Sequence, residues 1–133
     1  MTASGCPFCT ITPSAVVLNN DHAMAIYDGF PVSPGHMLII PKRHIASLFE
    51  ASIEERTALF DLLAGSRGLL LEEYDPDGFN IGINDSAAAG QTVMHLHIHL
   101  IPRYTGDKPD PRGGVRWIFP EKAIYWEQGG RND

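Results

Sequence analysis

The chain has 133 residues, 44% of them apolar and 20% charged, with a formal net charge of -6 at pH 7. That length makes one domain, able to bury roughly two-thirds of its unfolded surface without obligatory metals or disulfides. The acidic balance speaks against nucleic acid as a partner and gives no membrane attraction, and no apolar run approaches the ~18 residues of a membrane span.

The first motif is Cys6-Pro7-Phe8-Cys9, which holds the only two cysteines. Three readings compete: a redox pair, a disulfide, or half of a zinc site. The redox reading lacks the strand that should precede it. A disulfide is disfavoured in a cytoplasmic chain, and that location is expected because no basic segment followed by an apolar stretch opens the sequence. The run Ala3-Ser4-Gly5-Cys6 faintly resembles a lipoprotein cleavage box but lacks that stretch as well. Zinc needs about four ligands, so it must find two histidines elsewhere.

Residues Ala15 to Asn20 and His22 to Asp28 read as a strand hairpin turning at Asn19-Asn20-Asp21. Pro31 to Gly35 form a rigid loop into His36-Met37-Leu38-Ile39-Ile40-Pro41, nearly all apolar as a central strand should be. Lys42, Arg43 and His44 follow, placed for function at the strand's end. Ser52 with Glu55 three residues on is a capping box. The spacing of Ala58, Leu59, Leu62, Leu63, Leu69, Leu70 and Tyr74 predicts a helix running to Tyr74, stopped by Asp75-Pro76-Asp77-Gly78. Phe79 to Asn84 alternates as a strand with Phe79, Ile81 and Ile83 facing the core and Asn84 at its end. Asp85 to Gly90 is a small-residue loop leading through Gln91 and Thr92 into the next strand.

That strand is Met94-His95-Leu96-His97-Ile98-His99-Leu100-Ile101-Pro102, carrying half of the chain's six histidines. Period-two alternation predicts that His95, His97 and His99 share one face, roughly 6.6 Å apart, while Leu96, Ile98 and Leu100 enter the core. Imidazoles that titrate near neutrality serve as nucleophiles, proton carriers or metal ligands. A metal hydrolase would want an acidic ligand close by, which this strand lacks. A phosphoryl-accepting histidine with a neighbour for the leaving group makes better sense of the row, with Asn84, Gln91 and Thr92 as uncharged donors to phosphate oxygens. A nucleotide-binding sensor without turnover would use the same donors. After Arg103 the glycines and prolines point to an irregular tail from 104 to 133, which carries Arg112, Arg116, Trp117, Tyr125 and Trp126. Nothing marks a second domain within residues 1–133.

Gly90 to Arg103 resembles the signature of the histidine triad (HIT) superfamily of nucleotide hydrolases and transferases. The likeness extends back through Pro34-Gly35-His36 and Ile40-Pro41-Lys42-Arg43-His44 to Cys6-Pro7-Phe8-Cys9. The resemblance implies an α+β domain, with an antiparallel sheet of about five strands and one long helix, forming a two-fold homodimer whose tail approaches the partner's site. It implies that His97 attacks the α-phosphorus to give a nucleotidyl-histidine, and that His99 helps the leaving group depart. Asn84 and Thr92 would bind phosphate, Asp28 the ribose hydroxyls, and His36 would orient the row from behind. Cys6, Cys9, His44 and His95 match a structural zinc set in some members, with residues 1–12 as a knuckle-like segment. The tail resembles bacterial dinucleoside polyphosphate hydrolases, where Arg116 would meet distal phosphates, whereas Asn84 matches the phosphoramidate-hydrolysing branch. A dinucleoside polyphosphate such as diadenosine tetraphosphate is the expected substrate. Phosphoramidate hydrolysis, nucleotidyl transfer and binding without catalysis are the alternatives.

Overall fold

The computed structural model describes residues 5–128. Positions 1–4 of the expected knuckle segment and 129–133 of the expected tail lie outside the described residues. The chain divides into two compact units, Met1–Arg103 and Tyr104–Asp133. In the first, β1 (Val16–Asn19), β2 (Ala23–Tyr27) and β3 (Met37–Pro41) precede the helix α1 (Ile53–Tyr74), which is followed by β4 (Gly78–Gly82) and β5 (Ile98–Arg103). The strands form one sheet in the order β1-β2-β3-β5-β4, antiparallel throughout. This is the expected α+β arrangement of five strands and one long helix.

All five residues of β3 are buried, because the sheet is covered on both faces there. On one face Leu59, Leu62 and Leu70 of α1 pack against Met37, Ile39, Ile98 and Leu100. On the other, Ile26, Leu38 and Ile40 meet Phe8 and Ile11 of the N-terminal segment. Alternation along β3 and β5 thus sends one set of side chains to the helix and the other towards the N-terminal segment.

The helix begins where its capping box predicts, with Ser52 Oγ accepting from Glu55 N and Glu55 Oε1 accepting from Ser52 N. It ends at Asp75, which takes a left-handed φ of 47°. Glu55 also receives Arg43 through Nε and Nη2 at 2.9 and 2.8 Å. Arg43 therefore fastens the end of β3 to the start of α1 and does not serve the site. The Arg43 hydrogen bonds are the main reason that the Glu55 carboxyl is lowered from 4.5 to about 2.

Three expectations need correction. Ile81 is 46% exposed instead of core-facing, because β4 is an edge strand, although Phe79 and Ile83 do pack against the core. The histidine strand starts at Ile98, and Met94 to His97 precede it as a bend and coil. Leu96 N bonds to Ile45 O instead of entering the β3 ladder, which holds this stretch off the sheet. The tail is not irregular: it has a 3-10 turn at Gly114–Ile118, a short helix α2 (Pro120–Ala123) and a 3-10 turn at Trp126–Gln128. Arg112 lies 4.4 Å over the Trp126 ring and Trp117 Nε1 donates to Arg112 O, so the aromatics dock within the tail itself. Among the described residues no helix is long and apolar enough to cross a membrane.

A carboxyl whose folded pKa is depressed stabilises the fold above its unfolded pKa and loses that contribution as pH falls through the folded one. The difference in melting temperature between wild type and Glu55→Gln should therefore be full above pH 4.5 and close as pH falls towards 2. It should correspond to about 2 kcal/mol once the solvent-facing partner is allowed for. A difference that does not change across that range would refute the assignment.

Candidate functional site

Seven histidines and cysteines near the row separate into two clusters that share one backbone. Cys9 N donates to Cys6 O at 3.2 Å, a tight turn that presents both thiols together. Neither sulfur is in a disulfide. His44 follows β3, and His95 sits fully buried in the bend before β5. His95 Nδ1 lies 3.4 Å from Cys6 Sγ, 3.5 Å from Cys9 Sγ and 3.1 Å from His44 Nδ1, while Cys9 Sγ is 3.2 Å from His44 Nδ1. A tetrahedron built on metal–nitrogen and metal–sulfur bonds of about 2.1 and 2.3 Å has edges of roughly 3.4 to 3.8 Å. The four ligand atoms all lie within 4.8 Å of one another, close enough for one ion to gather them with small adjustments.

Protonation agrees with that reading. Pro41 O can only accept, so the 2.8 Å contact to His95 Nε2 puts the proton there and leaves Nδ1 a lone pair facing the sulfurs. Burial holds the His95 pKa below its ordinary value, with an opposing contribution from the Pro41 bond. Burial and the Cys9 thiol push Cys6 up, so its ionisation waits for a cation to compensate it. The donor set fits a metal ion.

The second cluster is His97, His99, His36 and Asp28. His97 Nδ1 lies 2.8 Å from the His95 carbonyl, which again only accepts, so Nδ1 carries the proton and Nε2 keeps its lone pair. His99 pairs with Leu38 on one side and Gly82 on the other, on the sheet face away from α1. Its ring is 5.2 Å from that of His97. Val32 N–H donates to His36 Nδ1 at 3.1 Å, so His36 carries its proton on Nε2 and donates it to His99 Nδ1 at 3.0 Å. Neutral His99 is left with Nε2–H. A lone pair on His97 and an N–H on His99 thus stand on adjacent rings.

Gly35 makes this possible: its φ is +88°, and a Cβ there would lie 3.1 Å from Leu70 and Tyr74 side-chain carbons. The close approach to α1 seats the loop that delivers Val32 and His36. Asp28 Oδ2 lies 3.4 Å from His36 Nε2, and Asp28 Oδ1 accepts from Phe30 N. Burial lowers both His36 and His99, and the Asp28 charge opposes this in each. Asp28, His36 and His99 are also spaced as a possible ligand group. The Val32 N–H occupies His36 Nδ1 and so keeps a proton on the nitrogen a metal would need, which leaves His36 a donor to His99 with the Asp28 carboxylate beside the same nitrogen.

Other expected site residues fall differently. Asn84 and Thr92 are exposed, on the segment joining β4 to β5. Gln91 is buried, and its amide is spent on the backbone: Oε1 accepts from Ser86 N, and Nε2 donates to Ala46 O and Val93 O. Its side chain is therefore a staple for that segment and no donor to a ligand. Arg116 belongs to the second unit, where it donates to Lys122 O and Ala123 O and lies over the Tyr125 ring. Two residues escaped sequence reasoning. Phe8 packs at 5.1 Å from His97 and 5.9 Å from His95, and only its place inside the cysteine motif hinted at it. Gly82 faces His99 across the ladder with nothing within 4 Å of a Cβ built on it, an opening signalled by a glycine inside an alternating strand.

A fold of this topology with histidines so disposed points to one family, and comparison with known proteins agrees. A profile described as HIT domain matches residues 10–106. The chain belongs to the HIT domain family. Protein hit of Bacillus subtilis is 38% identical over 117 residues, 85% of this chain and 79% of that protein. A HIT family protein from Bacillus anthracis superposes with a TM-score of 0.71 at 37% identity, covering 77% of this chain and 76% of that one. A Zn-bound histidine triad family protein from Mycobacterium smegmatis gives 0.70 at 29% identity, covering 95% and 98%. Two relatives are named as enzymes. Adenylylsulfatase HINT3 of Arabidopsis thaliana is 36% identical over 106 residues, 77% of this chain and 54% of that protein. The asymmetrical bis(5'-nucleosyl)-tetraphosphatase of Schizosaccharomyces pombe is 39% identical over 77 residues, 58% of this chain and 42% of that protein. Kinship with nucleotide-binding proteins and nucleotide hydrolases follows.

Gln91 also holds Ser86, whose φ of 82° is strained for a residue with a side chain. Gln91→Met should leave two carbonyls and one N–H without partners and cost about 2–4 kcal/mol in thermal or denaturant unfolding. Amide exchange at Ser86 should accelerate with it. Unchanged exchange there would show that the staple is dispensable.

Proposed function

We propose that this protein hydrolyses a phosphoanhydride at the α-phosphorus of a dinucleoside polyphosphate, of the diadenosine tetraphosphate kind, through a nucleotidyl-His97 intermediate. The observation that carries the reading is the pairing of a bare Nε2 on His97 with an Nε2–H on His99, each tautomer set by the hydrogen bond at Nδ1. His97 Nε2 attacks phosphorus, and the bond from phosphorus to the bridging oxygen breaks. The departing oxygen takes a hydrogen bond from His99 Nε2–H. Positive charge that develops on the His97 ring is held by the Nδ1–H bond to the His95 carbonyl. Water then attacks the same phosphorus, breaks the P–N bond and releases a nucleoside monophosphate. Asn84 and Thr92 bind the non-bridging oxygens and Asp28 the ribose hydroxyls, while Gly82 leaves room beside His99 for the phosphate.

Cys6, Cys9, His44 and His95 hold zinc in this reading. The metal supplies a structural cross-link between the N-terminal turn and the segment that carries the row. Thiolate ligands suit a reducing compartment, so we assign the protein to the cytoplasm, and we expect it to work as a homodimer.

Phosphoramidate hydrolysis is the second reading, favoured by the asparagine at position 84 and by the adenylylsulfatase relative, which matches more of this chain than the tetraphosphatase does. A quenched single-turnover assay of wild type and His97→Gly with diadenosine tetraphosphate and with an adenosine phosphoramidate separates the two. We expect cleavage of the tetraphosphate with protein-bound nucleotide in wild type only. Faster cleavage of the phosphoramidate would move the chain to the second reading, and wild-type turnover in the variant would end the mechanism. Purified protein should carry one zinc per chain; accessible thiols without metal would refute the four-ligand site. Gly82→Val should leave the fold intact and raise KM roughly tenfold, on the scale of one misplaced group in a packed site, and an unchanged KM would show that no ligand approaches there.

A further inference from the structure

We infer that Phe8 is a positioning residue for His97, and that the metal-binding turn reaches the nucleophile through it. The inference rests on His97 being the nucleophile, and it adds a role that the cysteine motif does not disclose.

A ring held by one hydrogen bond is still free to swing about that bond. His97 donates Nδ1–H to the His95 carbonyl, which fixes the direction of one nitrogen. It lies before the first residue of β5, so no strand pairing of its own stiffens it. The remaining constraint comes from the rings beside it. His99 is 5.2 Å away at 71°, and Phe8 is 5.1 Å away at 56°. Phe8 is itself held from behind by Ile26, Leu38 and Ile40. Its backbone is held by the turn in which Cys9 N donates to Cys6 O. Phe8 also meets the His95 ring edge-on at 5.9 Å.

Two paths therefore run from the four-ligand cluster to His97: through the His95 backbone to its carbonyl, and through the Cys6–Cys9 turn to the Phe8 ring. Both end on the same imidazole and fix different degrees of freedom. Loss of the metal would loosen the turn and the His95 ring together, and His97 would lose its heading while the sheet stayed folded. On this account the metal-binding turn governs the aim of the nucleophile as well as anchoring the N-terminal segment.

The test compares wild type with Phe8→Leu, which keeps an apolar side chain against Ile26, Leu38 and Ile40, and with Phe8→Tyr, which keeps the ring. Phe8→Leu should retain its zinc and lower kcat about tenfold with KM within about twofold, the result of a displaced nucleophile. Phe8→Tyr should restore kcat. Nitrogen NMR of the histidines should show His97 as a single Nδ1–H tautomer in wild type and as a mixture in Phe8→Leu. Chelation of the metal from wild type should produce the same mixture. A rise in KM with kcat intact would overturn the proposal and make Phe8 a surface for the substrate. An unchanged His97 tautomer in Phe8→Leu would overturn it as well, and survival of the tautomer after chelation would remove the link to the metal. If wild type turned over neither nucleotide the hydrolase reading would fail, while the NMR comparison would still decide the role of Phe8.

Discussion

The carbonyl of His95 accepts the Nδ1–H of His97, and most of the chemistry proposed for the site depends on that one acceptor. A neutral imidazole carries one N–H, so whichever nitrogen is bonded to a carbonyl decides which nitrogen keeps a lone pair. Proteins gain only about 1 kcal/mol from such a bond in stability. Its value here is directional: it converts a ring with two possible nucleophilic atoms into a ring with one. The same device recurs at Pro41 O, which turns the lone pair of His95 towards the sulfurs, and in reverse at Val32 N–H, which sets the proton of His36. Three backbone groups thus assign three side chains their roles.

The backbone can do this because the strands that carry or flank these groups are fixed by burial. Leu96, Ile98 and Leu100 are each no more than 1% exposed, and their seats against α1 leave the intervening histidines no choice of face. A slip of one residue would exchange the two sets, so the core specifies the site's register. The Gln91 amide and the Leu96 N to Ile45 O bond then hold the preceding bend off the sheet. That displacement lets His95 leave the row for the cysteines while its carbonyl stays within reach of His97.

Much of this was legible in the residues. The capping box at Ser52, the left-handed stop at Asp75, the buried central strand and the apolar half of the histidine segment all follow from local chemistry, and each stands where the pattern puts it. The grouping of Cys6, Cys9, His44 and His95 was legible only through resemblance, because spacing along a chain does not reveal which distant segments meet. Where the reading went astray, tertiary context overrode pattern. Alternation at Met94 to His97 resembles a strand, yet the Leu96 N–H bonds to Ile45 O instead of joining the β3 ladder. Gln91 looks like a phosphate donor because its type suits the task, but three backbone groups claim it first. Ile81 has core periodicity but stands half-exposed on an edge strand. Arg43, expected at the site, answers to Glu55.

The lowering that burial imposes on His99 and His36 bears on the proposed catalysis. A histidine that is already cationic would attract the phosphates of a resting substrate about as strongly as those of the transition state, which tightens binding without hastening the reaction. A neutral His99 offers an N–H whose hydrogen bond strengthens as the bridging oxygen gains charge. In the proposed mechanism, attack by His97 generates positive charge on its own ring at the same moment, next to a carbonyl already bonded to its Nδ1–H. Asp28 lies 3.4 Å from His36 Nε2, and its charge partly offsets the lowering that burial imposes on His36 and His99. In that mechanism the site holds its electrostatic response in reserve, as oriented dipoles, and would deliver it as the phosphorus–oxygen bond begins to break.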